Sequence, residues 1–469
     1  MIERDRPPQA PVDIAVIGAG VVGCAVARRF TLDGARVCVL EKAVDILDGA
    51  SKGNSGILHT GFDAPVGSLE QRCIADGYAE YMEIRDRLGL PLLETGALVV
   101  AWTEAEEARL PALLDQARAN GVADARLLDK AAIKAREPHL ADGARAAILV
   151  PREYVIDPWA APTAYMMQAL TNGAHLMRGA GVTAGAFDGD LWRIETDAGP
   201  VLARAVINCA GLFGDRIDAM LLGDSHFTIR PRKGQFVVFD KAATALVSGI
   251  VLPTPSATTK GVVVCRTAYG NVLVGPTAEE QESRTDAATD RETLRMLIDK
   301  AATIVPALAD QPVTAAYAGL RPASEEKDYR VRVEADRRYI TLGGIRSTGL
   351  SAALGLARHA ADLHATFAAS TVPLSEPHWP RAPRLAEHAP RDWAEADNGG
   401  ILCHCELVTR REVAAALTGP LAARGLGGLK RRTRVTMGRC QGFYCSAALA
   451  DVTAGRLDPP MALPDRADD

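Results

Sequence analysis

A short apolar run, Asp13–Ile17, leads straight into Gly18-Ala19-Gly20-Val21-Val22-Gly23, and this order leaves few folds open to the chain. The first glycine permits a tight turn, the second lets backbone approach a pyrophosphate, and the third lets helix and strand pack closely. From Val21 the residues keep helical spacing as far as Gly34, a suitable C-terminal cap. Arg36–Leu40 reads as a second buried strand, with Glu41 at its end, about 20 residues beyond the glycines as a dinucleotide fold requires. The helix N-terminus supplies N–H groups and a positive dipole to a diphosphate. An acid at position 41 can take two ribose hydroxyls and disfavours a 2′-phosphate, so NADP is not expected. An isolated glycine turn is the plainer reading; strand, helix, strand and acid in order argue against it. The fingerprint alone does not choose between FAD and NAD.

Composition narrows the class. Among 469 residues, 48% are apolar and 24% charged, and the net charge is -5. That is a soluble globular balance of two or more units, without the basic excess a nucleic-acid partner requires. No run of about 18 or more apolar residues suggests a membrane span. The N-terminal stretch, mixed in charge and proline-bearing, lacks the plan of a signal peptide. A cytoplasmic location is expected, with peripheral contact at the inner membrane left open. A second glycine pair, Gly179-Ala180-Gly181, reads as a decoy: no buried strand is expected before it and no helix after it.

The segment after Glu41 is more specific. Ser51-Lys52-Gly53-Asn54-Ser55-Gly56-Ile57-Leu58-His59-Thr60-Gly61-Phe62 resembles the flavin-contacting loop of the D-amino-acid-oxidase-like FAD superfamily. The resemblance is to the branch of glycerol-3-phosphate dehydrogenases and L-2-hydroxyglutarate oxidases. Ala205–Gly211, Ala318-Gly319-Leu320-Arg321-Pro322 and Tyr339–Leu350 resemble further family segments in the same order, so the likeness spans roughly residues 12–365. It implies FAD, usually without a covalent link, and an α/β fold: a Rossmann-like FAD-binding domain with a mixed-sheet substrate domain. The expected divisions are 1–80, 150–215 and 335–370 for the FAD domain and 81–149 and 216–334 for the substrate domain. By this resemblance the cofactor contacts are Gly18, Gly20, Gly23, Glu41, Lys42, Ser51, Asn54, Ser55, Val182, Ala210, Gly211, Gly344, Gly349 and Leu350.

Nine cysteines are present, and four of them form the pattern C-x-C-x34-C-x4-C: Cys403, Cys405, Cys440 and Cys445. Four thiolates in two tight pairs suit an iron–sulfur site; zinc usually takes CxxC pairs, and a metal-free set of redox thiols is the third reading. The surrounding sequence resembles the bacterioferritin-associated-ferredoxin-like domain fused to some FAD dehydrogenases, which implies a [2Fe-2S] cluster in a small helical domain over 398–455. His404 is not needed as a ligand. Thr409-Arg410-Arg411-Glu412 reads as a capping box. Lys430, Arg431, Arg432, Arg434 and Arg439 form a basic run, read either as a solvated face or as a counter-charge or docking patch for an electron acceptor. A proline-rich connector over 371–397 precedes the unit, and a mobile tail, 456–469, is expected after it.

The resemblance assigns acid–base work to His59, with packing against the flavin or a covalent flavin link as alternatives. Arg321 matches the arginine that holds an anionic substrate, since its planar fork suits phosphate or carboxylate. Arg346 departs from many relatives and is a candidate second anion or flavin contact; Arg266 and Lys233 are weaker candidates. The expected activity is dehydrogenation of a small anionic secondary alcohol (glycerol 3-phosphate, a related polyol phosphate or a 2-hydroxy acid). Electrons would leave through the cluster to an acceptor protein or quinone, with other subunits in a heteromeric complex. An amine, opine or amino-acid dehydrogenase subunit and a non-catalytic electron-transfer scaffold are the competing readings.

Overall fold

Hydrophobic patterning sets out two sheets and a small appended unit. The computed structural model describes residues 5–255 and 261–462. The first sheet has a parallel core: Val12–Ile17 lies between Val37–Glu41 and Val201–Asn208, His175–Arg178 follows outside the former, and Tyr339–Gly343 pairs with the latter. All of Val37–Glu41 is buried, as expected for a strand covered on both faces. Helices Val21–Leu32, Leu69–Leu88, Ala160–Thr171 and Gly349–His364 pack together over one face. Antiparallel strands Val182–Phe187 and Trp192–Thr196 extend one edge. The second sheet is mixed and carries the runs expected to form a roof: Arg232–Phe239, Val263–Arg266 and Val272–Gly275 are adjacent in it. Its long antiparallel ladder sets Arg232 against Arg321 and Gly234 against Gly319. A third, three-stranded sheet of Ile57–Leu58, Tyr154–Ile156 and Leu92–Leu93 stands by the flavin-type loop.

The second glycine pair departs from expectation on one side only. The strand His175–Arg178 leads directly into Gly179, with Leu176 to Arg178 buried, whereas no helix follows, as expected, but the strand Val182–Phe187. Its apolar pattern is only four residues long, too short to be distinguished in sequence from a loop.

The C-terminal unit is a hairpin, Ile401–Cys403 with Val408–Thr409, and three short helices, Arg410–Ala416, Leu426–Thr433 and Ser446–Thr453. The capping box at Thr409 and Glu412 is formed in both directions. Leu402, Val408, Val413, Leu429, Val435 and Leu449 make its core. The first residues of the expected tail are not free: Leu457 is buried in that core and the Asp458 amide donates to the Arg424 carbonyl. Residues 463–469 lie outside the described part.

The basic run is neither a solvated face nor a docking patch. Arg431, Arg432 and Arg434 are buried in the seam between this unit and the rest of the chain. Arg432 grips Asp45 through both terminal nitrogens, at 2.6 and 3.1 Å, and both side chains are at most 5% exposed. Arg431 donates to the Ile46 carbonyl, and Arg434 to Glu406 at 2.8 Å. Lys430 is half-buried, and Arg439, though exposed, is paired with Asp240. Asp45 reaches helix Leu426–Thr433 only because position 428 is glycine: a Cβ there would sit 1.7 Å from its Oδ2.

Removing one partner of a buried pair leaves an uncompensated charge, which costs about 3–5 kcal/mol. Asp45→Ala is therefore expected to lower the unfolding free energy by about that amount. Denaturant titration of the holoprotein checks it, with exposed Asp115→Ala expected within about 0.5 kcal/mol of wild type.

Candidate functional site

The carboxyl ends of the parallel strands converge at one edge, where an open α/β sheet places its ligand. Gly18 follows the first strand at φ +100°, and a Cβ on it would lie 2.8 Å from the Cys209 carbonyl oxygen. A Cβ on Gly23 would fall 1.9 Å from the Gly18 oxygen, so the glycine loop closes only without side chains. Gly20 precedes helix Val21–Leu32, and Ser51 Oγ accepts the Val21 amide at 3.0 Å, tying the flavin-type loop to the helix start. Glu41, 7% exposed, accepts the Ala19 and Ala43 amides at 2.7 and 2.9 Å. Burial raises its carboxyl above the ordinary range, against those amides and Lys42. Lys42 itself lies 3.4 Å from the centre of the Phe213 ring.

The other expected contacts reach the same edge from different strands. Ala210 and Gly211 follow Val201–Asn208, with the Ala210 amide on Asn208 Oδ1 at 3.0 Å. Gly344, at φ +65°, follows Tyr339–Gly343, and Gly349 and Leu350 open helix Gly349–His364. Asn54 turns back on the Gly56 amide while its carbonyl accepts the Tyr317 hydroxyl. Ser55 lies half-buried between them. Val182 begins the edge strand just after Gly181, whose Cβ would meet that of Lys42 at 3.5 Å. A glycine corner, free helix amides and a buried acid at the next strand end thus fit the diphosphate and ribose of a dinucleotide.

Antiparallel register brings out a residue the sequence reading missed. Ile57 pairs with Val155 and Leu58 with Tyr154, so the next position sets His59 opposite Glu153. His59 Nδ1 lies 2.7 Å from Glu153 Oε2. Glu153 is fully buried, and its other oxygen accepts the Thr60 amide and hydroxyl at 2.5 and 2.7 Å. The His59 amide in turn donates to Ser351 Oγ at 2.8 Å, joining this pair to the start of helix Gly349–His364. Nothing local in the sequence marks Glu153, 94 residues away from His59.

Arg321 lies along the roof ladder, with a terminal nitrogen 3.1 Å from the Thr277 carbonyl. Among the described residues it has no ion-pair partner. Burial, then the nearby charges of Arg232 and Arg346, against the Glu279 carboxylate, bring its guanidinium down to about 10, still protonated at neutral pH. Gly319, two residues before it, is packed against Gly53 of the flavin-type loop. Arg346 is half-buried and, among the described residues, donates to the Lys327 carbonyl at 3.4 Å. Lys233 is taken up by Glu279, and Arg266 is half-buried.

The four C-terminal thiols stand as two hydrogen-bonded pairs, Cys405 with Cys440 and Cys403 with Cys445. The amides of Tyr444, Gly442 and Phe443 point at the Cys440 sulfur and hold its thiol below the ordinary range. Burial raises the Cys405 and Cys445 thiols, to about 11 for Cys445, against the Cys440 amide at the former and the Thr436 amide at the latter. Among the described residues, no three His, Cys, Asp or Glu side chains close on one metal position. The donor set is all thiol and amide-lined, the chemistry an iron–sulfur cluster requires.

Comparison with known proteins follows the same lines. A family model described as FAD dependent oxidoreductase (DAO) matches residues 13–363. A glycerol 3-phosphate dehydrogenase of Caloramator mitchellensis is 31% identical over 457 residues, 96% of this chain and 95% of that one. A glycerol 3-phosphate oxidase of Mycoplasma pneumoniae is 28% identical over 75% of this chain and 94% of its own. Among solved structures, the FAD-bound L-alpha-glycerophosphate oxidase of that organism superposes with TM-score 0.75 at 25% identity, covering 80% of this chain and all of its own.

Because a methyl group at position 23 would collide with backbone, Gly23→Ala is expected to release the dinucleotide while the roof sheet stays folded. The flavin-to-protein absorbance ratio after gel filtration checks this; a ratio equal to wild type would refute the role given to the glycine corner.

Proposed function

This chain belongs to the DAO family of FAD-dependent oxidoreductases, and on that footing we propose that it dehydrogenates a small anionic secondary alcohol, glycerol 3-phosphate foremost. The observation that carries the substrate class is Arg321, a half-buried guanidinium with two further arginines near it, the Glu279 carboxylate acting on it more weakly, and no ion pair among the described residues. A half-buried cation with more positive than negative charge around it supports an anion from outside the chain. A phosphate or carboxylate on the planar fork of Arg321, with Arg346 as second contact, supplies that counter-charge. The name of the relative aligned over almost the whole chain supports the same class.

FAD, when bound, takes the hydride from the substrate carbon. Gly18, Gly20, Gly23 and Glu41 would hold its adenosine and diphosphate half. Ser51, Asn54, Ser55, Gly344, Gly349 and Leu350 would line the half that reacts. The chain's own tasks are to bind the anionic end at Arg321, to present the hydroxyl to His59, and to take up the hydroxyl proton there.

The second part of the proposal concerns the outlet. Cys403, Cys405, Cys440 and Cys445 would hold a [2Fe-2S] cluster, a one-electron carrier that passes reducing equivalents to a protein or quinone acceptor. Two facing thiol pairs lined by amides support this reading, as does similarity to the dehydrogenase that extends through the C-terminal unit. No described helix is long and apolar enough to cross a membrane, so a membrane acceptor would be met at the surface. The domain divisions given above, 398–455 for this unit included, are part of the same proposal.

Anaerobic titration of the purified protein tests both parts. Glycerol 3-phosphate is expected to bleach the flavin band, and iron and sulfide analysis to give two of each per chain. Bleaching by an opine or amino acid instead would move the chain to C–N oxidation; zinc or no metal would remove the outlet. Arg321→Lys keeps the charge but loses the fork, and should lower kcat/KM by about 1–3 kcal/mol of transition-state binding. An unchanged kcat/KM in steady-state assays would release Arg321 from substrate.

A further inference from the structure

We propose that Glu153 is the positioning residue of the proton acceptor: it holds His59 in the tautomer whose Nε2 lone pair faces the substrate. The proposal rests on the dehydrogenase reading above and on geometry independent of it. Glu153 is 0% exposed, and among the described residues its carboxylate meets the Thr60 amide, the Thr60 hydroxyl and the His59 ring. Neither lysine nor arginine is paired with it among the described residues. One oxygen is held by both Thr60 donors, so the carboxylate cannot rotate away, and the other faces Nδ1 at 2.7 Å.

A carboxylate only accepts, so Nδ1 must donate, and a neutral imidazole that donates at Nδ1 accepts at Nε2. The Ser351 hydroxyl holds the His59 amide, and the strand pair holds the two backbones in register, which fixes the ring from both sides. In the reaction the substrate O–H bond breaks and its proton joins Nε2. The O–H electron pair forms the C=O bond as the C–H pair leaves as hydride to FAD, the oxidant. His59 becomes cationic at that moment, and Glu153, a buried anion without another counter-ion, is already placed to stabilise it. The same constellation of a buried carboxylate behind a histidine base serves hydrolases on unrelated folds.

The roles separate in Glu153→Gln. Glutamine keeps the size and can still accept from Thr60, but its amide nitrogen would face Nδ1 and donate. The ring proton then moves to Nε2, where it blocks proton uptake. Expected results for the holoenzyme are unchanged FAD content and melting temperature, KM within about threefold of wild type, and kcat lower by about 10²-fold or more. Nitrogen-15 NMR of the wild-type holoenzyme, with His59→Gln to assign the ring, should show the proton on Nδ1; in Glu153→Gln it should show it on Nε2. A wild-type ring protonated on Nε2, or a Glu153→Gln enzyme with near-normal kcat, overturns the proposal. If Glu153→Gln does not fold, the wild-type spectrum decides alone. If no anionic alcohol bleaches the flavin, the substrate class falls, while the tautomer, which needs no substrate, still tests Glu153.

Discussion

Everything at the site depends on one close backbone approach. The carbonyl of Gly18 lies where a side chain on Gly23 would be, so the first helix starts hard against the turn that ends the first strand. That contact points the free amides of the helix N-terminus out over the sheet edge, and Val201–Asn208 and Tyr339–Gly343 end at the same edge because they run parallel to the first strand. Parallel pairing thus gathers Gly18, Ala210 and Gly344, scattered over more than three hundred positions, into one cradle. Glu41 shows what burial at this edge costs: its carboxylate is satisfied by two backbone amides, yet desolvation still dominates and raises its pKa. Such an acid is held ready for hydroxyl donors from a ligand.

The roof and the cradle are joined by a few contacts that decide what can be bound between them. Gly53 and Gly319 touch backbone to backbone, bringing the ladder that carries Arg321 down to the flavin-type loop. The small three-stranded sheet then turns His59 toward the same region by pairing its strand with the one that follows Glu153. Arg321 and His59 therefore come from different sheets.

Local features were legible in the sequence because their physics is local. The glycine corner, Glu41, the cap at Gly34 and the capping box at Thr409 depend on residues within a few turns of one another, and each stands where its pattern placed it. Glu153 was not legible, since its meaning comes from a register formed across 94 positions. The strand before Gly179 was too short to carry a period. The basic run was misread for the same reason as Glu153: Asp45 and Asp48, which neutralise Arg432 and Arg431, lie in the N-terminal segment, nearly four hundred residues upstream. A run of like charge reads as surface until its counter-charges are seen.

That buried seam changes what the C-terminal unit can be. An appended carrier on a proline-rich tether could swing between a donor and an acceptor, but swinging would expose Asp45, Arg431 and Arg432 and break the Arg432–Asp45 pair made at 2.6 Å. Separating buried charges without new partners is costly. Contacts also run continuously from the thiols to the flavin-type loop. Arg434, paired with Glu406 beside Cys405, lies 3.9 Å over the Tyr269 ring; Tyr269 stacks on Trp159, and the Trp159 indole donates to the Lys52 carbonyl. The unit is thus held to the rest of the chain by a fixed interface of aromatic and guanidinium planes.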